Sequence, residues 1–179
     1  MCEIVICEKS NVLKLLKQEK YDAIISICNP SNHQQDHKSW IKKLAKKCEE
    51  LLCLYFDDTL TSKNDGPRIE HIRKIMSFAK DLRDKKVLIH CSMGVSRSTA
   101  TAMIVLNVLG IDMKEAESYV KKIRKIADPN PFMLEMYDDI VNNKISRRQS
   151  SKYVEVPDPG YLSSSHESVS HESNSRESN

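Results

Sequence analysis

The chain has 179 residues, enough for one domain with a substantial core, and its 28 Lys+Arg against 25 Asp+Glu leave a net charge of only +3. That mild charge, without a stripe of arginines and interleaved aromatic residues, predicts no nucleic-acid partner. No apolar run is long enough to span a bilayer, and no basic start followed by an apolar segment indicates a signal peptide.

The first half of the chain alternates between strand and helix patterns. Short apolar runs predict strands over residues 3–7, 21–28 and 51–56, and apolar residues at helical spacing predict helices over 11–19, 40–50 and 67–82, with a polar loop over 31–38. A strand at 86–89 is then followed by helices over 98–109, from Asp112 onward, and over about 131–144. Strands that alternate with helices predict an α/β fold whose central, parallel-rich sheet is flanked by helices on both faces.

Six cysteines are scattered along the chain without a Cys-x-x-Cys pair. This spacing predicts free thiols in a reducing compartment, and therefore a cytoplasmic location, rather than a disulfide framework. Cys28, His33 and His37 share one loop region and leave zinc as an alternative, but no fourth ligand has a recognisable spacing. We therefore expect neither a metal ion nor another cofactor.

The turn between the strand at 86–89 and the helix at 98–109 carries the most informative residues. Cys91 is followed by five residues and then by Arg97 and Ser98, and His90 precedes it. At a strand-to-helix turn, several backbone N–H groups can point at one anion. The candidate phosphate-binding residues are Ser92, Met93, Gly94, Val95, Ser96 and Arg97.

A ring of N–H donors suits both a thiolate and a phosphate ester. A free thiol titrates near ~8.5 and is mostly protonated at neutral pH, whereas donors at a helix N-terminus favour the thiolate. Arg97 can add a planar, bidentate fork over two phosphate oxygens, which lysine could not. Gly94 provides a loop position that tolerates positive φ. The pattern therefore predicts nucleophilic catalysis on a phosphate ester, with Cys91 as the nucleophile.

This spacing and context resemble the phosphate-binding loop of the cysteine-dependent protein tyrosine phosphatases, and most closely the compact dual-specificity-like ones, including bacterial types. The resemblance covers about residues 1–145, and the segment Ile123-Arg124-Lys125…Pro129-Asn130-Pro131-Phe132 is similar to the Pro-Asn corner near the end of dual-specificity domains. It implies that Cys91 forms a cysteinyl-phosphate intermediate, that Ser98 stabilises the departing thiolate when water hydrolyses it, and that His90 helps to fix the loop.

The resemblance also implies a general acid on a loop upstream of the cysteine. The strand at 51–56 ends in Phe56-Asp57-Asp58, whose carboxylates precede Cys91 by 34 and 33 residues. The phrase is similar to the acid loop of small dual-specificity and regenerating-liver phosphatases, in which the second carboxylate carries the proton. We therefore expect Asp58 to protonate the leaving oxygen, with Asp57 as a helper or alternate.

A domain over residues 1–145 lacks room for the segments that deepen the pocket of larger tyrosine-specific domains. We therefore expect a monomeric protein phosphatase that accepts phosphotyrosine and also phosphoserine and phosphothreonine on protein substrates. The loop carries no lysine, which disfavours phosphoinositides, but a phosphoinositide or RNA phosphatase on the same loop stays an alternative. So do sulfur transfer or arsenate reduction, which would not need Asp58, and a phosphate-binding adaptor with low turnover.

Residues 146–179 differ in composition from the rest of the chain. They are rich in serine and contain a five-residue repeat that begins at Ser165, Ser170 and Ser175. This composition cannot bury enough surface to offset the ordering entropy, so it predicts a disordered tail. The tail is either a solvated extension or a phosphorylation or docking segment.

Cys28 is at the end of a predicted strand, much as the regulatory cysteine is in regenerating-liver phosphatases. It is either a core residue at a strand end or a redox partner that traps oxidised Cys91 as a disulfide.

Overall fold

The computed structural model describes residues 2–30 and 34–143. Its strands and helices follow in this order: β1 Glu3–Glu8, α1 Lys9–Gln18, β2 Ala23–Cys28, α2 Gln34–Ala45, β3 Glu50–Tyr55, α3 Ile69–Ala79, β4 Lys86–Cys91, α4 Arg97–Val108, α5 Met113–Ile123 and α6 Pro131–Val141. The predicted tail over 146–179 and His33 lie outside the described residues.

The four strands form one parallel sheet in the order β1-β4-β2-β3. β2 is buried at every position and β4 at all but its first, as expected for strands that are covered on both faces. Because all the strands run the same way, their carboxyl ends meet at one edge of the sheet. Cys91 at the end of the central strand β4 therefore lies between the ends of β1 and β2.

Helices cover both faces of this sheet unequally. α1 and α2 enclose a small core on one face, around Val12, Leu44 and Leu88. α3, α4 and α6 enclose the larger core on the other face, with α5 packed on α4. The predicted α/β fold with a parallel-rich sheet and three successive helices at its end is confirmed.

The predicted helix over 40–50 is wrong at both ends, because α2 is Gln34–Ala45. Part of the segment predicted as a polar loop is thus helical, since glutamine and lysine form helices well without apolar neighbours. The helix ends early because the backbone N–H groups of Glu49 and Glu50 donate to Asp22 O, which starts β3 at Glu50.

The other helices start or end within a few residues of their predicted limits. α1 begins two residues earlier than predicted, and α3 is Ile69–Ala79 rather than 67–82. Asp112 caps α5 by accepting a hydrogen bond from the Lys114 N–H at 2.8 Å, and Asn130 caps α6 by accepting one from the Met133 N–H at 3.0 Å. In the part of the chain that the structure describes, no helix is both long and apolar enough to cross a membrane.

Candidate active site

Cys91 is the last residue of β4, and the five residues that follow it turn the chain into α4. Its side chain is only 1 % exposed. The Gly94 N–H donates to Cys91 Sγ at 3.2 Å, and Ser98 Oγ lies 3.3 Å from the same sulfur. Both neighbours can donate to a thiolate, so the turn brings the predicted nucleophile and its predicted stabiliser into contact.

These contacts lower the pKa of Cys91 below the usual range of a cysteine thiol. Burial is the largest single influence and opposes ionisation, but hydrogen bonds from Ser98, the positive charge of Arg97 and the Gly94 N–H together outweigh it. Other cysteines differ, because burial raises the pKa of Cys7 and Cys53 to about 12. Cys91 is therefore the thiol that the fold prepares to ionise.

Groups outside the loop hold its carbonyl oxygens and so set the direction of its N–H groups. Lys9 N–H donates to Ser92 O at 3.2 Å, Arg124 donates to Met93 O at 3.0 Å and to Gly94 O at 2.9 Å, and Asp128 N–H donates to Val95 O at 3.1 Å. In a trans peptide the N–H points opposite to the C=O. The N–H groups that follow these carbonyls consequently turn away from the outer partners, toward the side on which Gly94 meets the sulfur.

Arg124 anchors this loop through a second contact. It lies just after α5, and its Nη2 lies 3.0 Å from Glu8 Oε2 at the end of β1. The guanidinium thus links the edge strand, the loop carbonyls and the segment before α6.

Gly94 is required by its surroundings as well as by its backbone angle. Its φ is +67°, a conformation that is costly for residues with a side chain. A Cβ at this position would lie 2.6 Å from the backbone C and O of Cys7 in β1. The loop therefore contacts the edge strand at a distance that no other amino acid permits.

Arg97 begins α4 and is 3 % exposed. Its Nη1 donates to Phe56 O at 2.6 Å, and its Nη2 donates to Ser92 Oγ at 3.0 Å and to Asn29 Oδ1 at 3.2 Å. Its buried Nε–H has no hydrogen-bond partner among the described residues. A buried, unpaired donor on a cation is costly, so this N–H fits a site that takes up an anion.

The two predicted acids have different partners. Asp58 Oδ1 accepts hydrogen bonds from Ser96 Oγ at 2.7 Å and Asn130 Nδ2 at 2.8 Å, and Asp58 Oδ2 lies 3.8 Å from Arg97 Nε. Asp57 Oδ1 instead accepts from Asn29 Nδ2 at 2.5 Å. The structure thus brings Asp58 beside the loop and the arginine, and attaches Asp57 to the end of β2.

Glycine is also needed in the loop that carries these acids. A Cβ at Gly66 would lie 1.9 Å from Thr61 O and 2.3 Å from Thr59 Oγ1. The loop folds closely on itself there, and the Asp57 N–H donates to Asp65 O at 2.7 Å. Contacts within the loop itself therefore help to set its shape, in addition to the partners of the two carboxylates.

His90 lies in β4 directly before Cys91, and Cys28 is the last residue of the neighbouring strand β2. His90 is fully buried with Trp40 edge-on to its ring at 5.6 Å, and burial lowers its pKa to about 4. Cys28 Sγ lies 3.7 Å from Ser26 Oγ, and the sheet register pairs Ser26 with His90. Side chains alternate along a strand, so Cys28 and Cys91 leave opposite faces of the sheet. This placement lends no support to a disulfide between them, which stays a prediction.

The sequence left a zinc site near Cys28, His33 and His37 as an alternative, and the described residues offer no set of ligands for it. No group of three His, Cys, Asp or Glu residues within 2–30 and 34–143 is arranged to hold a metal ion.

Comparison with known proteins agrees with this geometry. A family model described as "Dual specificity phosphatase, catalytic domain" matches residues 4–139. The chain therefore belongs to the dual specificity phosphatase catalytic domain family, a class of cysteine-dependent phosphatases.

Individual relatives are distant. Protein phosphatase Slingshot homolog 3 of Mus musculus is 28 % identical over 103 residues, which are 54 % of this chain and 16 % of that protein. Dual specificity protein phosphatase 15 of Rattus norvegicus is 30 % identical over 105 residues, 54 % of this chain and 44 % of that protein. The chain thus spans less than half the length of either. The crystal structure of human DUSP28 aligns with a TM-score of 0.57 at 15 % identity, covering 81 % of this chain and all of that one, and shows the shared fold.

Three residues of the site have no functional role in the sequence-based interpretation. Asn29 binds Ser92 and Arg97, Arg124 binds carbonyls of the loop, and Asn130 binds Asp58. Asn29 could have been found from its place directly after a strand next to β4, and Asn130 from its corner between two prolines. Arg124 lies in the segment that resembles the end of dual-specificity domains, but among its neighbouring lysines nothing in the sequence singles it out as the residue that binds the loop.

Proposed function

We propose that this chain hydrolyses phosphate esters on proteins, on tyrosine and also on serine and threonine, through a cysteinyl-phosphate intermediate. The observation that carries the proposal is the contact of Cys91 Sγ with the Gly94 N–H and Ser98 Oγ, next to a buried Arg97 whose Nε–H has no hydrogen-bond partner among the described residues. This arrangement stabilises a thiolate and leaves positive charge for a phosphate dianion.

The chemistry proceeds in two transfers. The Cys91 thiolate attacks phosphorus, the bond to the leaving oxygen breaks, and Asp58 gives that oxygen its proton. Water then attacks the phosphocysteine, Asp58 takes back a proton, and the thiolate leaves with the Ser98 hydroxyl donating to it. The loop N–H groups and Arg97 hold the phosphoryl oxygens throughout.

Exposed apolar side chains around the site support a polypeptide substrate. Leu60 is 67 % exposed, Met93 69 % and Ile126 58 %, and they lie on the acid loop, the phosphate-binding loop and the segment before α6. We call these three residues the apolar rim. Large exposed apolar groups on the segments that build a site favour a partner with apolar side chains of its own.

The alternatives make different demands on the same residues. A phosphoinositide or RNA phosphatase would use Cys91 and Arg97 on another substrate, and an adaptor would bind phosphate without needing Asp58. Sulfur transfer or arsenate reduction would need Cys91 but give no phosphatase turnover. The intact set of nucleophile, arginine, hydroxyl and acid favours hydrolysis.

The deciding experiment measures hydrolysis of p-nitrophenyl phosphate and of a panel of phosphotyrosine, phosphoserine and phosphothreonine peptides, a phosphoinositide and a 5′-phosphorylated RNA. We expect turnover of the aryl phosphate and peptides, its loss in Cys91→Ser, and a burst in Ser98→Ala because breakdown of the intermediate becomes slow. Wild-type protein that binds phosphopeptides but releases no phosphate would establish the adaptor instead.

A further inference from the structure

Asn29 lies where the strand order makes the phosphate-binding loop and the acid loop neighbours. It follows β2 directly, and β2 pairs with β4 on one side and with β3 on the other. β4 leads into the phosphate-binding loop and β3 into the acid loop. A side chain at this point of the sheet can reach both loops.

The carboxamide of Asn29 uses both of its ends. Its Oδ1 accepts hydrogen bonds from Ser92 Oγ at 2.7 Å and from Arg97 Nη2 at 3.2 Å. Its Nδ2 donates to Asp57 Oδ1 at 2.5 Å. An amide offers an acceptor and a donor in fixed relative positions, so one side chain holds two donors on one loop and a carboxylate on the other.

These contacts fix the plane of the Arg97 guanidinium. Nη1 is held by Phe56 O, and Nη2 is shared between Asn29 and Ser92. With both terminal nitrogens bonded to the protein, Nε is the guanidinium nitrogen that has no hydrogen bond to any described residue. The direction in which it points depends on the partners of Nη1 and Nη2.

We propose that Asn29 is a positioning residue for this site: its carboxamide orients Arg97 for the phosphate and fixes the acid loop through Asp57, so that Asp57 is an anchor and Asp58 the acid. This inference rests on the proposed function and deepens it. Asn29 touches no reacting atom, and it acts through Arg97 and Asp57.

The contact between Asn29 and Arg97 is tested by anion binding, which needs no turnover. Inorganic phosphate is titrated as a protectant of Cys91 against iodoacetamide, in wild type, Asn29→Ala and Asn107→Ala. Asn107 is the matched control, because its carboxamide bonds Tyr137 and Ile111 at the far end of α4. We expect Asn29→Ala to need about tenfold more phosphate for half protection, and Asn107→Ala no more than wild type.

Equal protection of Asn29→Ala and wild type would overturn the role toward Arg97. Ser92→Ala gives a second measurement if Asn29→Ala does not fold. Because Ser92 and Asn29 share the same Arg97 nitrogen, we expect Ser92→Ala to weaken protection also. Where Asn29→Ala folds, we expect the double variant to weaken protection by less than the product of the two single effects. Independent, multiplying effects would contradict the shared contact.

The contact between Asn29 and Asp57 is tested by comparing two substitutions of Asp57. In Asp57→Asn the new side chain keeps an oxygen that can accept from Asn29, whereas in Asp57→Ala it does not. An anchor predicts that Asp57→Asn retains most of the turnover of p-nitrophenyl phosphate and Asp57→Ala loses about tenfold. A proton donor predicts equal losses, because neither asparagine nor alanine can supply a proton, and equal losses would overturn the anchor.

The proposed function and the role of Asn29 fail separately. If wild-type protein hydrolyses none of the substrates, the proposed function fails, yet the protection assay still reports whether Asn29 orients Arg97. If wild type is active and Cys91→Ser is not, but Asn29→Ala matches wild type in protection and turnover, only the role of Asn29 fails.

Discussion

Asn130 Nδ2 donates to Asp58 Oδ1 at 2.8 Å, while Asn130 Oδ1 accepts from the Met133 N–H at 3.0 Å. One carboxamide therefore caps α6 and holds the candidate acid. Asn130→Ser separates these roles, because serine caps a helix as well as asparagine but has no Nδ2–H to donate to Asp58. We expect kcat to fall at least about tenfold, while the free energy of unfolding falls by no more than about 2 kcal/mol from the lost hydrogen bond. Unchanged kcat would show that Asp58 does not depend on Asn130.

Selective alkylation tests the electrostatics of the loop. Because the pKa of Cys91 is lowered and that of Cys7 and Cys53 is raised to about 12, iodoacetamide at neutral pH should modify Cys91 ahead of both in the folded protein. Ser98→Ala should move the pH midpoint of the Cys91 reaction upward, since its hydrogen bond favours the thiolate. Peptide mapping over a pH series reads both effects. A midpoint that does not move in Ser98→Ala would remove Ser98 from the stabilising contacts.

Two alanine substitutions at glycines with positive φ isolate the contact between the loop and β1. Gly110 has φ +98° and open space where a Cβ would lie, whereas Gly94 combines φ +67° with the close backbone of Cys7. Gly110→Ala should cost about 1–3 kcal/mol of unfolding free energy from backbone conformation alone. Gly94→Ala should cost more and also abolish phosphate protection of Cys91. Similar losses in urea titrations of the two variants would contradict the close approach.

His90 makes stability depend on pH in the acid range. Burial lowers its pKa from 6.5 to about 4 in the folded chain. Between these values the unfolded chain binds a proton that the folded chain does not, so stability is present above pH 6.5 and is lost as the pH falls. The loss amounts to about 3 kcal/mol by pH 4. Urea unfolding at several pH values should give a shallower decline for His90→Asn than for wild type, and parallel declines would refute the assignment.

The apolar rim predicts that peptides and small esters respond differently to one substitution. Ile126 is 58 % exposed and contributes no hydrogen bond to the phosphate-binding loop in the described structure. Ile126→Gln should raise KM for phosphopeptides by about threefold, from the loss of roughly 0.7 kcal/mol of apolar contact, and leave p-nitrophenyl phosphate unchanged. Equal KM values for peptides in the two proteins would show that substrates do not contact Ile126.

Much of the fold follows from local patterns in the sequence. Apolar runs such as the one that ends at Cys91 become buried parallel strands, and the turn from Cys91 to Arg97 is a strand-to-helix connection as predicted. α2 departs from its pattern because the amides of Glu49 and Glu50 bond to Asp22, a partner distant in sequence. Tertiary contacts of this kind override helical propensity and leave no trace in a local window.

The same limit applies to the site. The spacing of Cys91 and Arg97 is local and can be recognised, and the pair of acids follows from a strand end. Asn29 and Arg124 act across 68 and 30 positions of the chain, on Arg97 and on Gly94. Their roles depend on strand order and on the path after α5, which periodicity does not encode.

The segment between α5 and α6 has a practical consequence for anyone who shortens this protein. It supplies Arg124 and Asp128 to the loop carbonyls and Asn130 to Asp58. A fragment cut after α5 would keep every residue of the Cys-x5-Arg sequence, yet it would lose the donors to the carbonyls of Met93, Gly94 and Val95 and the Asn130 amide that binds Asp58. The smallest working unit is therefore much longer than the motif by which it is recognised, and it has to reach into α6.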